Sequence, residues 1–372
     1  MYQQVIRPLL FQMDPEQAHH LITAAGQKCC SLPLVDRLLA QRYTGTWPGL
    51  EQFLAGIRFP NPVGLAAGFD KNATLTNLLR FTGFGYAEYG SITARPSDGN
   101  ARPRLFRITK DRALINRMGL NNDGAKTICR HISDQKNRTP FLFRDFPCGI
   151  NIAKTHDPEI TGDEAIADYL ASYRLAVEVA DYITLNVSCP NTREGKTFED
   201  KPALSELLNS IDQERQPDDP PLFVKFSPDA DIRLLEELVT VCEAYRMIHG
   251  YVISNTSSRR EGLKTSGAEL AEIGSGGLSG APLFRKNLAL VSHLRHLLPA
   301  DKIIIGCGGV DSPDKAVQML KGGADLLQLY TGFIYEGSSL IPAINNRLVE
   351  EMITDGIRSL KNWLRFYHNN LR

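Results

Sequence analysis

Short apolar segments recur along the chain from residue 59 onward, and most of them are separated by stretches whose apolar residues fall at helical spacing. The segments are rich in β-branched and aromatic residues, which is typical of buried strands. Strands that alternate with helices form a parallel sheet, and eight is the number that closes a barrel. We therefore predict an α/β protein with a (β/α)8 TIM barrel. The eight predicted strands are Val63–Ala67, Tyr86–Ile92, Gly149–Ala153, Tyr182–Val187, Leu222–Phe226, Tyr251–Ser254, Lys302–Ile305 and Leu326–Tyr330.

Residues 1–50 have a different pattern. Asp14, Pro15 and Gln17 suit the N-cap, the first position and the capping-box position of a helix, and one apolar face follows them. With the apolar residues before Asp14, this pattern predicts two short amphipathic helices, which either pack on the barrel or lie on a membrane surface. Residues 43–53 resemble a linker because they contain Gly and Pro. We therefore expect a helical segment with its linker at residues 1–50 and the barrel at residues 51–372.

The end of the chain predicts one further feature. Residues 346–366 are expected to form the last barrel helix and a basic tail.

Composition excludes several classes of function. The 372 residues include 42 basic and 42 acidic side chains, so no net charge attracts nucleic acid. The 7 cysteines, an odd number without a Cys-x-x-Cys pair, favour a reducing compartment and predict neither a disulfide framework nor a metal site. No apolar run approaches the ~18 to 20 residues of a membrane-spanning helix. The amino terminus lacks the order of a secretory signal, so export is not expected.

Polar side chains recur where the predicted strands end, which is where a barrel keeps its active site. The fourth strand runs into Asn186–Asn191, with the sequence NVSCPN. The thiol of Cys189 has a reference pKa of roughly 8.5, so a modest shift would let it accept a proton near neutral pH. The amides beside it can hydrogen-bond the edges of a planar ring. A buried packing cysteine is the alternative. The polar residues at the other strand ends are Lys71, Ser91, Asn151, Lys225, Ser254, Asn255 and Thr256.

Glycine-rich turns accompany the last three strands. Gly276–Gly280 follows the sixth strand, Gly306–Val310 ends the seventh, and Tyr330–Gly332 ends the eighth. Backbone N–H groups that converge at the last two strands are the usual phosphate site of such barrels. One phosphate site without a Gly-x-Gly-x-x-Gly unit fits flavin mononucleotide (FMN) better than a nicotinamide dinucleotide. Pyridoxal phosphate stays open as a rival, with Lys71 or Lys225 as the Schiff-base lysine.

Five motifs together resemble the dihydroorotate dehydrogenase family. They are Gly64–Lys71, Ile115–Gly119, Asn186–Asn191, Gly277–Gly280 and Tyr330–Gly332. The likeness runs from the amino-terminal helices to about Ile344 and covers nearly the whole chain. It implies oxidation of dihydroorotate to orotate on bound FMN, which is the redox step of pyrimidine biosynthesis.

The resemblance also implies the roles of individual residues. Flavin contacts are expected at Ala67, Gly68, Phe69, Asp70, Lys71, Ser91, Asn151, Asn186, Lys225, Ser254, Gly280, Gly309, Tyr330 and Thr331. Substrate contacts are expected at Lys71, Asn116, Arg117, Met118, Gly119, Leu120, Asn186, Asn191, Asn255 and Thr256. Cys189 is expected to remove the proton from carbon 5 of the substrate while hydride passes from carbon 6 to the flavin. Lys71 would hold the substrate carboxylate, and Lys225 would stabilise the reduced flavin. Residues 192–202 are expected to form a lid over the site.

The electron acceptor depends on which class of the family the chain resembles. The amino-terminal helices and the Asn-Arg-Met-Gly segment are similar to the membrane-associated, quinone-using class, whose catalytic base is a serine. Cys189 is instead similar to the soluble class, which uses fumarate or a nicotinamide and lacks those helices. Because the helices span dozens of residues and the contrary feature is one side chain, we expect a quinone acceptor. A soluble-class enzyme and a non-redox phosphate-binding barrel are the alternatives.

The quinone-using class implies a peripheral membrane protein anchored by its amino-terminal helices. The expected location is the cytoplasmic face of the cell membrane, or the inner mitochondrial membrane in a eukaryote.

Overall fold

Eight parallel strands close into a barrel, as the sequence predicts. The structure is a computed structural model that describes residues 2–29, 33–188 and 198–371. Each barrel strand pairs with its neighbour in the chain, and the last pairs with the first, where Leu327 lies opposite Val63. The strands are β1 (Val63–Leu65), β2 (Tyr86–Ile92), β3 (Cys148–Ile152), β4 (Tyr182–Asn186), β5 (Leu222–Phe226), β6 (Ile248–Ile253), β7 (Ile303–Cys307) and β8 (Leu326–Leu329).

Helices surround the barrel and pack on it through a large apolar layer outside the strands. The predicted alternation of strands and helices is therefore confirmed. The helices are α1 (Arg7–Phe11), α2 (Pro15–Cys29), α3 (Pro33–Tyr43), α4 (Thr76–Leu79), α5 (Ala125–Arg138), α6 (Pro140–Phe143), α7 (Gly162–Ala176), α8 (Lys201–Glu214), α9 (Ile232–Glu243), α10 (Gly267–Ile273), α11 (Phe284–Leu297), α12 (Pro313–Lys321), α13 (Thr331–Glu336), α14 (Leu340–Thr354) and α15 (Leu360–Asn369).

Aromatic rings fill the barrel interior at the amino-terminal ends of the strands. Tyr86 and Tyr182 begin β2 and β4, and their ring centroids lie 6.3 Å apart. Phe59, from the hairpin Gln52–Leu54/Ile57–Phe59, lies 5.2 Å from Tyr86. This packing closes one end of the barrel, so any site must lie at the other end.

The amino-terminal segment contains one helix more than predicted. Helix α2 begins as expected, because Oδ1 of Asp14 accepts hydrogen bonds from the N–H groups of Glu16 and Gln17, each at 3.0 Å. Helix α3 was missed, although Pro33 at its start and apolar residues at helical spacing after it were a readable signal. These helices pack on the barrel mouth, where the ring of His19 meets that of Phe69 edge-on at 5.0 Å.

The outward surface of the amino-terminal helices is also apolar in part. Val5, Leu9, Leu21, Ile22 and Leu38 are exposed. Among the helices that the structure describes, none is both long and apolar enough to cross a membrane. The boundary near residue 50 stays a prediction.

A three-stranded antiparallel sheet stands beside the barrel mouth and was not predicted. Its central strand, Ala113–Asn116, pairs with Leu105–Ile108 on one side and with Gly277–Gly280 on the other. The second pairing joins the loop after β2 to the loop after β6. No local sequence pattern predicts a pairing between segments that are so distant in the chain.

The helix predicted within residues 346–366 is present as α14, and the segment predicted as a basic tail is itself helical. Residues 360–369 form helix α15, in which Trp363 is buried and its Nε1 donates to Oδ2 of Asp355 at 2.7 Å. The apolar residues of this segment recur at helical spacing, so α15 packs its apolar face on the rest of the protein.

Candidate active site

A pocket opens at the carboxyl ends of the barrel strands. It contains about 1160 Å³ of space that no protein atom occupies, part of it open to solvent. Most of the predicted site residues line this pocket together, although they come from distant parts of the chain. They are Ala67, Gly68, Lys71, Ser91, Asn116, Met118, Gly119, Leu120, Asn186, Lys225, Ser254, Asn255, Thr256, Gly280, Gly309, Tyr330 and Thr331.

Of the predicted site residues that the structure describes, four lie outside the lining of this pocket. Asn151 is fully buried beneath it. The carboxylate of Asp70 is buried and accepts from the N–H groups of Thr74 and Leu75 at 2.9 and 2.7 Å, so its side chain orders the turn before α4. Phe69 and Arg117 are the other two, and both turn toward other rings.

The ring of Phe69 points toward the amino-terminal helices, where it meets the rings of Tyr330 at 5.8 Å and Phe333 at 5.4 Å. The guanidinium of Arg117 lies 4.6 Å from the centroid of Phe106, and its Nη1 donates to the carbonyl of Ser275 at 3.0 Å.

Cys189 and Asn191 lie outside the described residues, as does most of the predicted lid. The chain is described again from Phe198, whose ring packs edge-on against Tyr169 at 5.1 Å. Oε1 of Glu199 accepts from the N–H of Ser227 at 2.5 Å. Burial, together with the nearby Asp229, raises the pKa of Glu199 to about 7.

A chain of hydrogen bonds connects the polar residues from the rim of the pocket downward. Nδ2 of Asn255 donates to Oγ of Ser188 at 2.8 Å and to Oδ1 of Asn186 at 3.1 Å. Nδ2 of Asn186 donates to Oγ of Ser91 at 3.2 Å, and Ser91 donates to Oδ1 of Asn151. Each amide therefore has a defined orientation before any ligand binds.

This chain ends at Glu88, which sequence reasoning missed. Its carboxylate is fully buried inside the barrel and accepts from Asn151 Nδ2 at 2.8 Å and from Gln328 Nε2 at 2.7 Å. Thr184 Oγ1 and Tyr182 OH donate to it at 3.0 and 3.3 Å. A lone charged or amide residue inside an otherwise apolar strand, as at Glu88 and Gln328, was the signal that could have found them.

Lys71 projects into the pocket near the amino-terminal helices. Its Nζ donates to Oδ1 of Asn121. Burial, reinforced by the nearby Arg104, lowers the pKa of Lys71 to about 8, and Glu16 acts in the opposite direction. Glu16 belongs to α2 and pairs with the buried Arg104 at 2.7 Å. The charge state of Lys71 therefore depends on a helix outside the barrel.

Glycines bring backbone close to the pocket at the turns that sequence analysis assigned to phosphate. Gly280 and Gly309 have φ of +105° and +83°, a region that favours glycine. A Cβ at Gly309 would lie 2.5 Å from the backbone of Phe284, and one at Gly280 would lie 2.5 Å from the carbonyl of Arg112. Only glycine fits at these two positions, so the turns that line the pocket can pack closely against the backbone of Phe284 and the carbonyl of Arg112.

A second pocket lies between the amino-terminal helices and the barrel. It contains about 1420 Å³ of space without protein atoms, and its lining is mostly apolar. Its few polar groups are already engaged or uncharged. Nη1 of Arg107 donates to the carbonyl of Met13 at 2.7 Å. Burial, with the positive charge of Lys71 nearby, lowers the pKa of His19 to about 4, which keeps the ring neutral at physiological pH. Tyr330 lines both pockets.

Known proteins resemble this chain over nearly its full length. A family model described as dihydroorotate dehydrogenase matches residues 49–352. A protein of Christiangramia forsetii named dihydroorotate dehydrogenase (quinone) is 37% identical over 94% of this chain and 99% of its own length. One of Clavibacter sepedonicus with the same name is 41% identical over 93% of this chain and 97% of its own.

A solved structure agrees with these relatives. The crystal structure of DHODH from Eimeria tenella in complex with ferulenol matches with a TM-score of 0.83 and 28% identity, covering 94% of each chain. The family resemblance drawn from the motifs is thus confirmed: this chain belongs to the dihydroorotate dehydrogenase family.

Proposed function

We propose that this chain is a quinone-dependent dihydroorotate dehydrogenase, which oxidises (S)-dihydroorotate to orotate in pyrimidine biosynthesis with FMN as its redox cofactor. The observation that carries the proposal is the pair of pockets that meet at Tyr330, one polar and one apolar. An enzyme that moves electrons from a small charged substrate to a lipid-soluble acceptor needs both environments, one for each reaction partner. The quinone-dependent relatives at 37% and 41% identity support the same activity.

The residues of the polar pocket fit FMN. Lys225 is buried and lines the pocket, yet among the described residues its ammonium has neither a hydrogen bond nor an ion pair. Oε1 of Gln328 is buried and likewise has no hydrogen-bond partner in the described part of the chain. A buried cation and a buried acceptor without partners are costly unless a ligand satisfies them. The flavin ring carries both carbonyl oxygens and an N–H, and the turns at Gly280 and Gly309 are available to its phosphate.

Bound FMN would supply the hydride acceptor, and the protein side chains would carry out the remaining tasks. The ammonium of Lys71 would bind the substrate carboxylate, while the amides of Asn116, Asn186 and Asn255 would bind the edge of the pyrimidine ring. Cys189, following the sequence prediction, would remove the proton from carbon 5 as a general base. The hydrogen-bond chain that orders these amides reduces the reorganisation needed at the reaction step.

The amino-terminal helices support a quinone acceptor and a location at a membrane. The exposed apolar residues of these helices, including Leu9 and Leu21, would enter the surface of a bilayer while the inner face borders the apolar pocket. A quinone could then pass from the lipid into the pocket without crossing water. We therefore infer a peripheral membrane protein, on the cytoplasmic face of the cell membrane or on the inner mitochondrial membrane. The fumarate- or nicotinamide-using alternative rests on Cys189 and on the sequence of residues 192–196, which departs from the usual sequence of the quinone-using class.

A single purified preparation tests the proposal. The protein should show the flavin absorbance bands, release FMN on denaturation, and oxidise dihydroorotate faster with a ubiquinone analogue than with fumarate or a nicotinamide. Colourless protein without released flavin would exclude a flavoenzyme and reopen the pyridoxal or non-redox barrel. Faster turnover with fumarate or a nicotinamide would move the chain to the soluble class.

A further inference from the structure

Glu88 lies inside the barrel, one layer below the polar pocket, where carboxylates are rare. It is fully buried, and its two oxygens receive four hydrogen bonds of 2.7 to 3.3 Å. A buried carboxylate persists only where donors satisfy it in this way. Two of those donors are amides of residues at or beneath the pocket, Asn151 and Gln328, so the acceptor oxygens of Glu88 determine how these amides are oriented.

A carboxylate has acceptors only, whereas an amide has a donor end and an acceptor end. The amide of Gln328 must therefore turn its Nε2 toward Glu88, which leaves Oε1 directed elsewhere. Gln328 is 1% exposed and lines the pocket, and within the described residues its Oε1 has no partner. An unpaired buried acceptor costs free energy that a ligand N–H would recover. The same reasoning explains why Oδ1 of Asn151 is turned toward Ser91.

We propose that Glu88 is a positioning residue for the flavin: it holds Gln328 so that Oε1 accepts a hydrogen bond from the N–H in the pyrimidine part of the isoalloxazine ring. This inference rests on the proposed FMN cofactor. Glu88 itself does not touch the ligand. Its carboxylate determines that Gln328 presents an acceptor, and not a donor, to the ring.

The substitution Glu88→Gln tests this orientation directly. An amide at position 88 can donate to Gln328, so the amide of Gln328 is free to turn its Oε1 inward and its NH₂ toward the flavin. The ring N–H would then face a donor, and we expect the dissociation constant of FMN to rise by about tenfold to a hundredfold.

The double substitution Glu88→Gln with Gln328→Glu exchanges the two groups. The amide at position 88 can then donate to a carboxylate at position 328, whose second oxygen again offers an acceptor to the pocket. We expect this exchange to recover most of the affinity lost in the single variant. Thr184→Val is the matched comparison, since it removes one donor to Glu88 but keeps the carboxylate and its bond to Gln328, and its loss of FMN affinity should be clearly smaller than that of Glu88→Gln.

The dissociation constant is measured on full-length apoprotein, without substrate, by quenching of FMN fluorescence, with thermal unfolding of each apoprotein as a check on folding. Glu88→Gln with wild-type affinity, or an exchange variant no better than the single variant, would overturn the inference.

Two further outcomes are distinguishable. If Glu88→Gln does not fold, Gln328→Met, which removes the acceptor while keeping a similar length, must show the same loss of affinity; wild-type affinity there refutes the role. If wild-type apoprotein binds no FMN under any condition, the proposed cofactor fails and the inference fails with it.

Discussion

The two pockets that meet at Tyr330 are built in opposite ways. In the polar pocket, side chains at strand ends are joined by hydrogen bonds that run from Asn255 down to Glu88. In the apolar pocket, helices supply a mostly hydrocarbon lining, and the pKa of its histidine, His19, is lowered to about 4, so that it stays uncharged. Orientation is therefore fixed before binding in one pocket, while the other is suited to a ligand recognised mainly by its apolar surface.

Ion pairs of Glu16 connect the two regions. Glu16 of helix α2 pairs with Arg104 at 2.7 Å, and Nη1 of Arg104 also donates to the carbonyls of Asp98 at 2.5 Å and Asn100 at 2.9 Å. Arg104 in turn lowers the pKa of Lys71, and Glu16 opposes this effect. The helices that form the apolar pocket thus influence the charge of the polar one, so deleting them would change both. Single substitutions separate the two regions more cleanly.

The largest expected effect is at Cys189, the base predicted for the reaction that we assign to the polar pocket. Cys189→Ala should slow flavin reduction by dihydroorotate by about 10² to 10⁴, because a positioned general base typically contributes that factor. Cys189→Ser should keep activity but need a higher pH, since a hydroxyl is a weaker acid. Stopped-flow absorbance of the flavin measures both rates. A rate for Cys189→Ala within threefold of wild type would remove Cys189 from the mechanism.

A smaller effect, confined to the other pocket, is expected at Leu10. This residue lines the apolar pocket, while its neighbour Leu9 is 62% exposed. Leu10→Gln should lower kcat/KM for a ubiquinone analogue by at least about tenfold, because a polar group without a partner enters the binding surface. Flavin reduction by dihydroorotate should not change.

Leu9→Gln is the matched control for Leu10→Gln. It should leave turnover with a short-chain quinone unchanged but weaken binding to phospholipid vesicles, measured by sedimentation. If the two variants have equal quinone kinetics, the apolar pocket is not the acceptor site.

The two regions also differ in how far sequence could predict them. The barrel strands and the polar residues at their ends were readable, because strand periodicity is local and the fold brings strand ends together. The start of α2 at Asp14 was readable for the same reason. By contrast, the pairing of Ala113–Asn116 with Gly277–Gly280 joins distant segments, and only the folded chain reveals it.

Buried polar contacts within the polar region were also hidden. Asp70 was expected to contact flavin, yet its carboxylate orders the turn before α4, and nothing in the motif distinguishes those two roles. Glu88 lies on β2 and Gln328 on β8, and both strands are neighbours of β1 in the barrel. The two side chains meet only because the closed barrel brings these distant segments together. The apolar pocket could be anticipated from the helices, but its contact with Tyr330 depends on how those helices pack.

The electrostatic link between the pockets predicts a pH dependence for ligand binding. Because the pKa of Lys71 is lowered to about 8, its ammonium loses the proton as pH rises through that value. The affinity for orotate, which binds through its carboxylate, should therefore fall by about tenfold per pH unit above pH 8 and be nearly constant below pH 7. Calorimetric titration between pH 6 and pH 9 tests this. Lys71→Arg keeps its charge throughout, so its orotate affinity should be flat; a flat wild-type profile would contradict the role of Lys71.

The smallest expected effect concerns the stability of the apolar region. Burial, with Lys71 nearby, lowers the pKa of His19 from 6.5 to about 4 in the folded chain. Between these pH values the unfolded chain binds a proton at His19 that the folded chain does not bind. The contribution of His19 to the free energy of unfolding is therefore complete above pH 6.5 and is lost as pH falls toward 4. Between pH 7.5 and pH 5 the free energy of unfolding should fall by about 2 kcal/mol through His19. His19→Gln should therefore lose less thermal stability over that interval than wild type, measured by scanning calorimetry.

His296→Gln, at an exposed position near the end of α11, controls for the substitution itself and should retain the wild-type loss. An equal loss in His19→Gln and wild type would show that His19 is not held neutral, and the apolar pocket would then contain a charge that its lining does not favour.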